Sequence, residues 1–244
     1  MNGVILYKGP SQLDGEPIVV IATGLKTGSN NRKTGNLIQT WILREDISPV
    51  EAVKSGEDSS ICGDCIHRGH AKNGKNTGRS CYVTVFQAPL TIWKTHKRGG
   101  YRLADDLPNQ FTGRAIRIGS YGDPAAVPLA IWQAVCSGAS YWTGYTHQWR
   151  DCDIGYSAYC MASADGLADR QFANMLGYRV FRVTADGDKA SQEVICPASS
   201  EAGHKTTCDK CRACGGTSSR AKADIVITVH GAAGKVNAYQ ERTL

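Results

Sequence analysis

The chain is predicted to be an α/β protein: a partial or distorted (β/α) TIM-like barrel with an N-terminal β-hairpin and cysteine-rich loops. Three observations lead there. From residue 115 onward, short β-branched and aromatic runs alternate with helical patterns, as parallel strands joined by crossovers require. A length of 244 residues suits one large α/β unit, and barrels of that size commonly form a single domain. A hydrophobic content of 41% is enough for a sizeable core, and no run of about 18 apolar residues is present to cross a bilayer.

The expected single domain, 1–244, has three parts. Residues 1–61 are a hairpin extension. Pro17 to Ala22 is apolar and β-branched, Leu37 to Leu43 is its partner, and the polar stretch Lys26 to Lys33 joins them as a long loop. Lys-Thr-Gly occurs at 26–28 and again at 33–35, but the spacing matches no Walker signature, which favours a plain loop. Residues 62–102 form a basic, cysteine-containing loop and helix. The helix starts at Pro89, in its first turn, and stops before Gly99-Gly100.

Residues 103–244 carry the strand and helix alternation. Expected strands are 115–120, 141–146, 161–163, 178–183, 192–195 and 224–229. Expected helices are 128–137 and 167–176, the second capped by Gly177. In a parallel sheet the strand C-termini face one way, which is where barrel active sites lie. Asp123, His147 and His230 fall there and are the catalytic candidates, Asp123 and His147 as an acid–base pair. Trp142, Tyr145 and Trp149 are candidates for stacking a ring or for core packing.

Ten cysteines in C-x-x-C groupings point to metal. The best-specified set is Cys196, which precedes Pro197, with Cys208, Cys211 and Cys214 in the Cys-rich loop 196–216. Two-residue spacings let successive thiolates curl round a cubane, so a [4Fe–4S] cluster is expected ahead of zinc. Four-thiolate zinc, which usually takes its ligands as two separated pairs, is the alternative. Glu201 and His204 lie between these ligands and are expected to support the metal.

Cys62, Cys65 and Cys81 form a second expected group. They suit a cluster with one open iron, or zinc completed by His67 or His70. Cys136, Cys152 and Cys160 are expected to be buried. The N-terminus lacks a signal-peptide pattern, so a reducing cytoplasm is the expected compartment.

The formal charge is +6, yet between Cys62 and Arg102 eight basic residues face only Asp64. Lys94, Lys97 and Arg98 are the candidate anion-binding residues, and nucleic acid or another anionic partner would suit the segment. A zinc-stabilised nucleic-acid-binding module using residues 66–102 is thus an alternative function. No membrane partner is expected.

The order of these motifs resembles a family of uncharacterised bacteriophage proteins of the gene product eighty-eight type, itself similar to a trimmed radical-SAM-like barrel. The matching residues, between 62 and 231, are Cys81-Tyr82, Arg117 leading to Gly122-Asp123, Tyr145-Thr146, Cys196-Pro197, the Cys208 to Cys214 run, and His230. The resemblance implies an iron–sulfur cluster, redox or radical chemistry on an unspecified substrate, and action in the host cytoplasm. A cluster used only structurally, without turnover, is a further alternative. Cys62-x2-Cys65-x15-Cys81 departs from the C-x3-C-x2-C of radical SAM enzymes, and no Gly-Gly-Glu-like strand follows. Binding of S-adenosylmethionine therefore does not follow from the resemblance.

Overall fold

The computed structural model describes residues 2–28, 31 and 33–243. Its strands make two five-stranded sheets and one two-stranded ribbon, a mixed α/β arrangement with no closed barrel among the described residues.

The first sheet opens with β1 (Gly3–Pro10) and β2 (Pro17–Thr23), paired antiparallel, and β2 pairs antiparallel in turn with β3 (Ile38–Arg44). The predicted hairpin is β2–β3. The strand β1 was not expected, and it covers the outer edge of β2. Ile18 to Ala22 are consequently fully buried, as a central strand covered on both faces should be. In the loop between β2 and β3, Ser29, Asn30 and Arg32 lie outside the described residues.

Helix α1 (Pro49–Ser55) starts at Ser48, whose side chain accepts the Glu51 N–H, and ends at Gly56 with φ 87°. A one-turn helix, α2 (Ser59–Cys62), delivers the first cysteine. The ribbon β4 (His70–Lys72) and β5 (Lys75–Thr77) turns at Asn73-Gly74, both at positive φ (51° and 69°). That dipeptide favours the tight hairpin turn whose twist matches the strands. Helix α3 (Ala88–Lys97) matches the predicted one and packs on α1 and β3. A short α4 (Leu107–Gln110) follows, capped by Asp106.

Strand β6 (Ala115–Tyr121) pairs parallel with β3, and helix α5 (Leu129–Gly138) returns the chain to β7 (Tyr141–Thr143), parallel to β6. The strand expected over 141–146 is divided at Gly144. Beyond it, β8 (Tyr145–Thr146) pairs instead with β9 (Met161–Ala164) in the second sheet. The division has a local cause. A Cβ at Gly144 would lie 2.5 Å from Ile118 Cγ1 and 2.9 Å from the Tyr159 carbonyl oxygen. Its N–H turns to the Cys214 carbonyl (3.1 Å), and its own carbonyl accepts the Met161 N–H (2.9 Å).

Helix α6 (Leu167–Met175) leads through Gly177, at φ 90°, into β10 (Val180–Thr184). Strand β11 (Glu193–Ile195), the one-turn α7 (Cys208–Cys211), β12 (Asp224–Thr228) and the C-terminal α8 (Ala233–Thr243) complete the chain. The second sheet has the order β11-β12-β10-β9-β8, all parallel. The expected βα alternation is incomplete. A 3₁₀ turn (Ile154–Ala158) joins β8 to β9, and the cysteine loop joins β11 to β12. Buried ions lock this sheet: Arg182 makes a forked pair with Glu193 (2.7 and 2.6 Å), and Arg170 reaches Asp224 at 2.8 Å.

Candidate metal centre

The cysteine loop starts where β11 ends. Cys196 is buried, and its N–H donates to the Val226 carbonyl on β12 (2.8 Å). Cys208 and Cys211 sit three residues apart on the single turn α7, which puts both on one face. Arg212 then takes a left-handed conformation (φ 58°) and turns the chain toward Cys214.

Several parts of the molecule hold this loop by its backbone. The Cys208 N–H donates to the Lys33 carbonyl (2.8 Å), Tyr141 Oη donates to the Cys208 carbonyl (3.2 Å), and Arg179 donates to the Ala213 carbonyl (2.6 Å). The far end of the β2–β3 loop therefore lies on α7, with the Asn36 N–H on the Asp209 carboxylate (3.3 Å). Gly216, at φ 60°, has no room for a Cβ against the Ser157 carbonyl. Glu201 and His204 brace the loop itself, at the Thr228 N–H (2.9 Å) and the Ala198 carbonyl (3.2 Å).

Electrostatically the four thiols behave as neighbours. Burial raises Cys214 to about 12, with Cys196, Cys208 and Cys211 adding to the rise and Tyr145 opposing it. Burial also raises Cys208, against the nearby Arg117 and Lys33. Cys196 is raised by burial too, with Lys33 opposing and Cys211 contributing. Apolar side chains of Met161, Ala198, Ile225 and Ile227 pack around Cys196, Cys208 and Cys214. Such thiols cannot all ionise together unless a cation joins them.

The second thiol group is organised by Asp58, which is fully buried. Arg68 meets it at 2.8 Å and Arg79 at 3.3 Å, while Arg68 also donates to the Gly56 (2.6 Å) and Gly63 (2.7 Å) carbonyls. One guanidinium thus braces both ends of the segment that presents Cys62. Burial raises Cys62, with Asp58, Cys65 and Cys81 adding to it. Burial brings Cys65 to about 12, and it raises Cys81 against the neighbouring Arg79.

At the strand ends the expected acid–base pair is arranged differently. Asp123 accepts from the His147 backbone N–H (2.7 Å), the Thr146 hydroxyl (2.7 Å) and the Ala125 N–H (3.0 Å), so it ties backbone together and does not meet the His147 ring. Burial, the largest influence, holds its carboxyl above the usual range. The His147 ring faces Asp165 and His67 instead. Nε2 of His147 lies 3.7 Å from Asp165 Oδ2, Nε2 of His67 lies 3.2 Å from Asp165 Oδ1, and the two rings meet edge to face at 5.3 Å. His67 is therefore turned to Asp165 and, through Nδ1, to Ser80 Oγ (2.8 Å). His230 is exposed beside Tyr82, their rings 6.3 Å apart.

Asp165, which the sequence places at the strand-end face without marking it as a candidate, occupies the same position on β9 that His147 occupies on β8. A cleft of about 300 Å³ opens here, lined by Cys65, His147, Arg150 and Asp165 among others.

Of the remaining expectations, Cys136 and Cys160 are buried and Cys152 lies 3.4 Å from Tyr178 Oη. Trp149 is buried, with its indole N–H on the Ser163 carbonyl (2.9 Å), and Tyr145 packs edge-on to Phe181 (4.7 Å). The basic segment divides. Arg68 and Arg79 both pair with Asp58 and Arg102 pairs with Asp105, while Lys72, Lys75 and the candidate anion-binding Lys94, Lys97 and Arg98 are exposed. No described helix is long and apolar enough to cross a membrane. The chain matches no protein-family model, no curated protein and no solved structure, so its site is read from its own residues.

Proposed function

We propose that this is an iron–sulfur protein holding a [4Fe–4S] cluster on Cys196, Cys208, Cys211 and Cys214, with a redox role. The observation that carries the reading is the approach of Cys196, Cys208 and Cys214, from two chain segments, to one apolar neighbourhood, with Cys211 close enough to add to the proton affinity of all three. Iron relieves that repulsion, and thiolate-rich sites suit iron–sulfur clusters or zinc.

Spacing favours the cluster. Four thiolates on one tetrahedral zinc at the usual bond length lie only about 3.8 Å apart. No three of these sulfurs lie within 4.8 Å of one another, so they are not gathered as one zinc requires, and it is the Cys208-x2-Cys211-x2-Cys214 run that supports a cubane. Arg117 and Lys33, close enough to stabilise the thiolates, would offset the charge of the bound cluster.

The parallel orders β3-β6-β7 in the first sheet and β8-β9-β10-β12-β11 in the second, which meet at Gly144, support reading the two sheets as one partial (β/α) barrel. Cys62, Cys65 and Cys81 are proposed as a second metal or cluster site, with one position left to a non-protein ligand. Anaerobic purification followed by iron, sulfide and zinc analysis tests the proposal. We expect brown protein with about four irons and four sulfides per occupied site. Colourless protein with stoichiometric zinc and no sulfide would overturn it.

A further inference from the structure

We infer that His67, His147 and Asp165 form a mononuclear site for a divalent first-row transition ion, zinc or ferrous iron, separate from the thiol sets. Their ligand atoms all lie within 4.8 Å of one another, the only such group among the described residues. Around a tetrahedral ion with ordinary Zn–N and Zn–O bonds, ligand atoms sit about 3.3 Å apart. His67 Nε2 lies 3.2 Å from Asp165 Oδ1 and His147 Nε2 lies 3.7 Å from Asp165 Oδ2, so each imidazole is at about that spacing from one oxygen of the carboxylate.

A simple histidine–carboxylate hydrogen-bond network would align its donors. This one does not. His147 Nε2 is buried without a hydrogen bond, and Asp165 Oδ1, though 3.2 Å from His67 Nε2, has no well-aligned donor. Buried polar atoms are seldom left so unless something absent from the protein itself joins them.

The surroundings are those of a ligating histidine. His67 is fixed from behind by Ser80 Oγ on Nδ1 (2.8 Å) and by stacking on Tyr239 (5.4 Å, 13° between planes). Arg242 donates to the same Ser80 oxygen at 2.7 Å. A proton on Nδ1 shared with Ser80 leaves the Nε2 lone pair directed at the carboxylate side, the arrangement that outer partners impose on metal-bound imidazoles. Two imidazoles and one carboxylate suit zinc or ferrous iron and leave positions for water or a small ligand. Those positions would open on the 300 Å³ cleft, at the C-terminal ends of β8 and β9.

The test uses cobalt(II) titrated into full-length protein whose thiol sets have first been filled anaerobically with iron and sulfide, followed by its d–d absorption, together with cobalt-edge X-ray absorption. We expect one cobalt per chain in a nitrogen and oxygen shell. The shell should contain no sulfur, and the thiolate-to-cobalt charge-transfer bands should be absent. His147→Gln and Asp165→Asn should each weaken binding at least tenfold. Lys54→Ala, an exposed change on α1, should leave cobalt affinity unchanged. The wild-type spectrum decides the matter even if a variant fails to fold. A sulfur shell, no binding, or equal affinity in folded Asp165→Asn would overturn the inference. Iron and sulfide analysis of the same samples reports separately on the cluster.

Discussion

Cys214 sits among three other thiols and an apolar wall, and burial alone would make it a poor ligand until metal arrives. Replacing it by serine should abolish iron and sulfide binding in the four-thiol loop while leaving the fold intact, read by metal analysis beside circular dichroism. Asp123 is a different kind of residue. Asp123→Ala strands the Thr146 hydroxyl and two backbone N–H groups, and should cost about 3 kcal/mol in denaturant unfolding. Retained stability would place those donors elsewhere. Glu201 gives a pH prediction. Burial raises its carboxyl, but its own backbone N–H, the Ser199 and Ser200 hydroxyls and Thr228 outweigh that and hold it at about 2 against an ordinary 4.5. A depressed folded value means the contribution is present above about pH 4.5 and is lost as pH falls toward 2. The melting-temperature gap between wild type and Glu201→Gln should therefore close across that window. A constant gap would contradict it. At this scale the cysteine spacing was legible because local sequence places thiols on one turn. The pairing of Asp123 with backbone, and of His147 with Asp165, was not, because each depends on which neighbouring strand end lies alongside.

At the scale of elements, the run from Ile18 to Ala22 and the β-branched segments after residue 115 announced their strands, since continuous apolar runs belong to sheets covered on both faces. The division of 141–146 at Gly144 was illegible. It is caused by Ile118 and Tyr159, which are remote in sequence. Asn73-Gly74 was legible and missed: it lies in a stretch so polar that it reads as a loop, yet that dipeptide is a strong hairpin signal. The lock between β10 and β11 makes an element-level prediction. Glu193→Ala leaves Arg182 buried without its forked partner and should destabilise the protein by about 3–5 kcal/mol, measured by urea denaturation. A loss under about 1 kcal/mol would mean that water reaches the guanidinium.

Across the whole molecule, charge counted along the sequence overstated the basic surface. Arg68 and Arg79 serve the buried Asp58 and Arg102 pairs with Asp105, so the remaining exposed cations of the segment are Lys72 and Lys75 on the β4–β5 ribbon and Lys94, Lys97 and Arg98 at the end of α3. Alternation suggested a partial or distorted barrel, and the described residues form two five-stranded sheets with no closed barrel. The strands are parallel from β3 to β11, but short strands, a break at Gly144 and a loop in place of the last helix leave them unclosed. The cysteine loop occupies the position that a crossover helix would fill, and it is anchored to the first sheet through Tyr141 and Gly144 and to the second through Cys196. That anchoring is the basis for treating Cys196, Cys208, Cys211 and Cys214 as one centre. An iron-edge X-ray absorption spectrum of anaerobically purified protein tests this most directly. The account predicts a sulfur first shell with an iron–iron shell behind it, both reduced in Cys208→Ser to whatever Cys62, Cys65 and Cys81 hold. An iron shell of nitrogen and oxygen alone, or no iron at all, would contradict it.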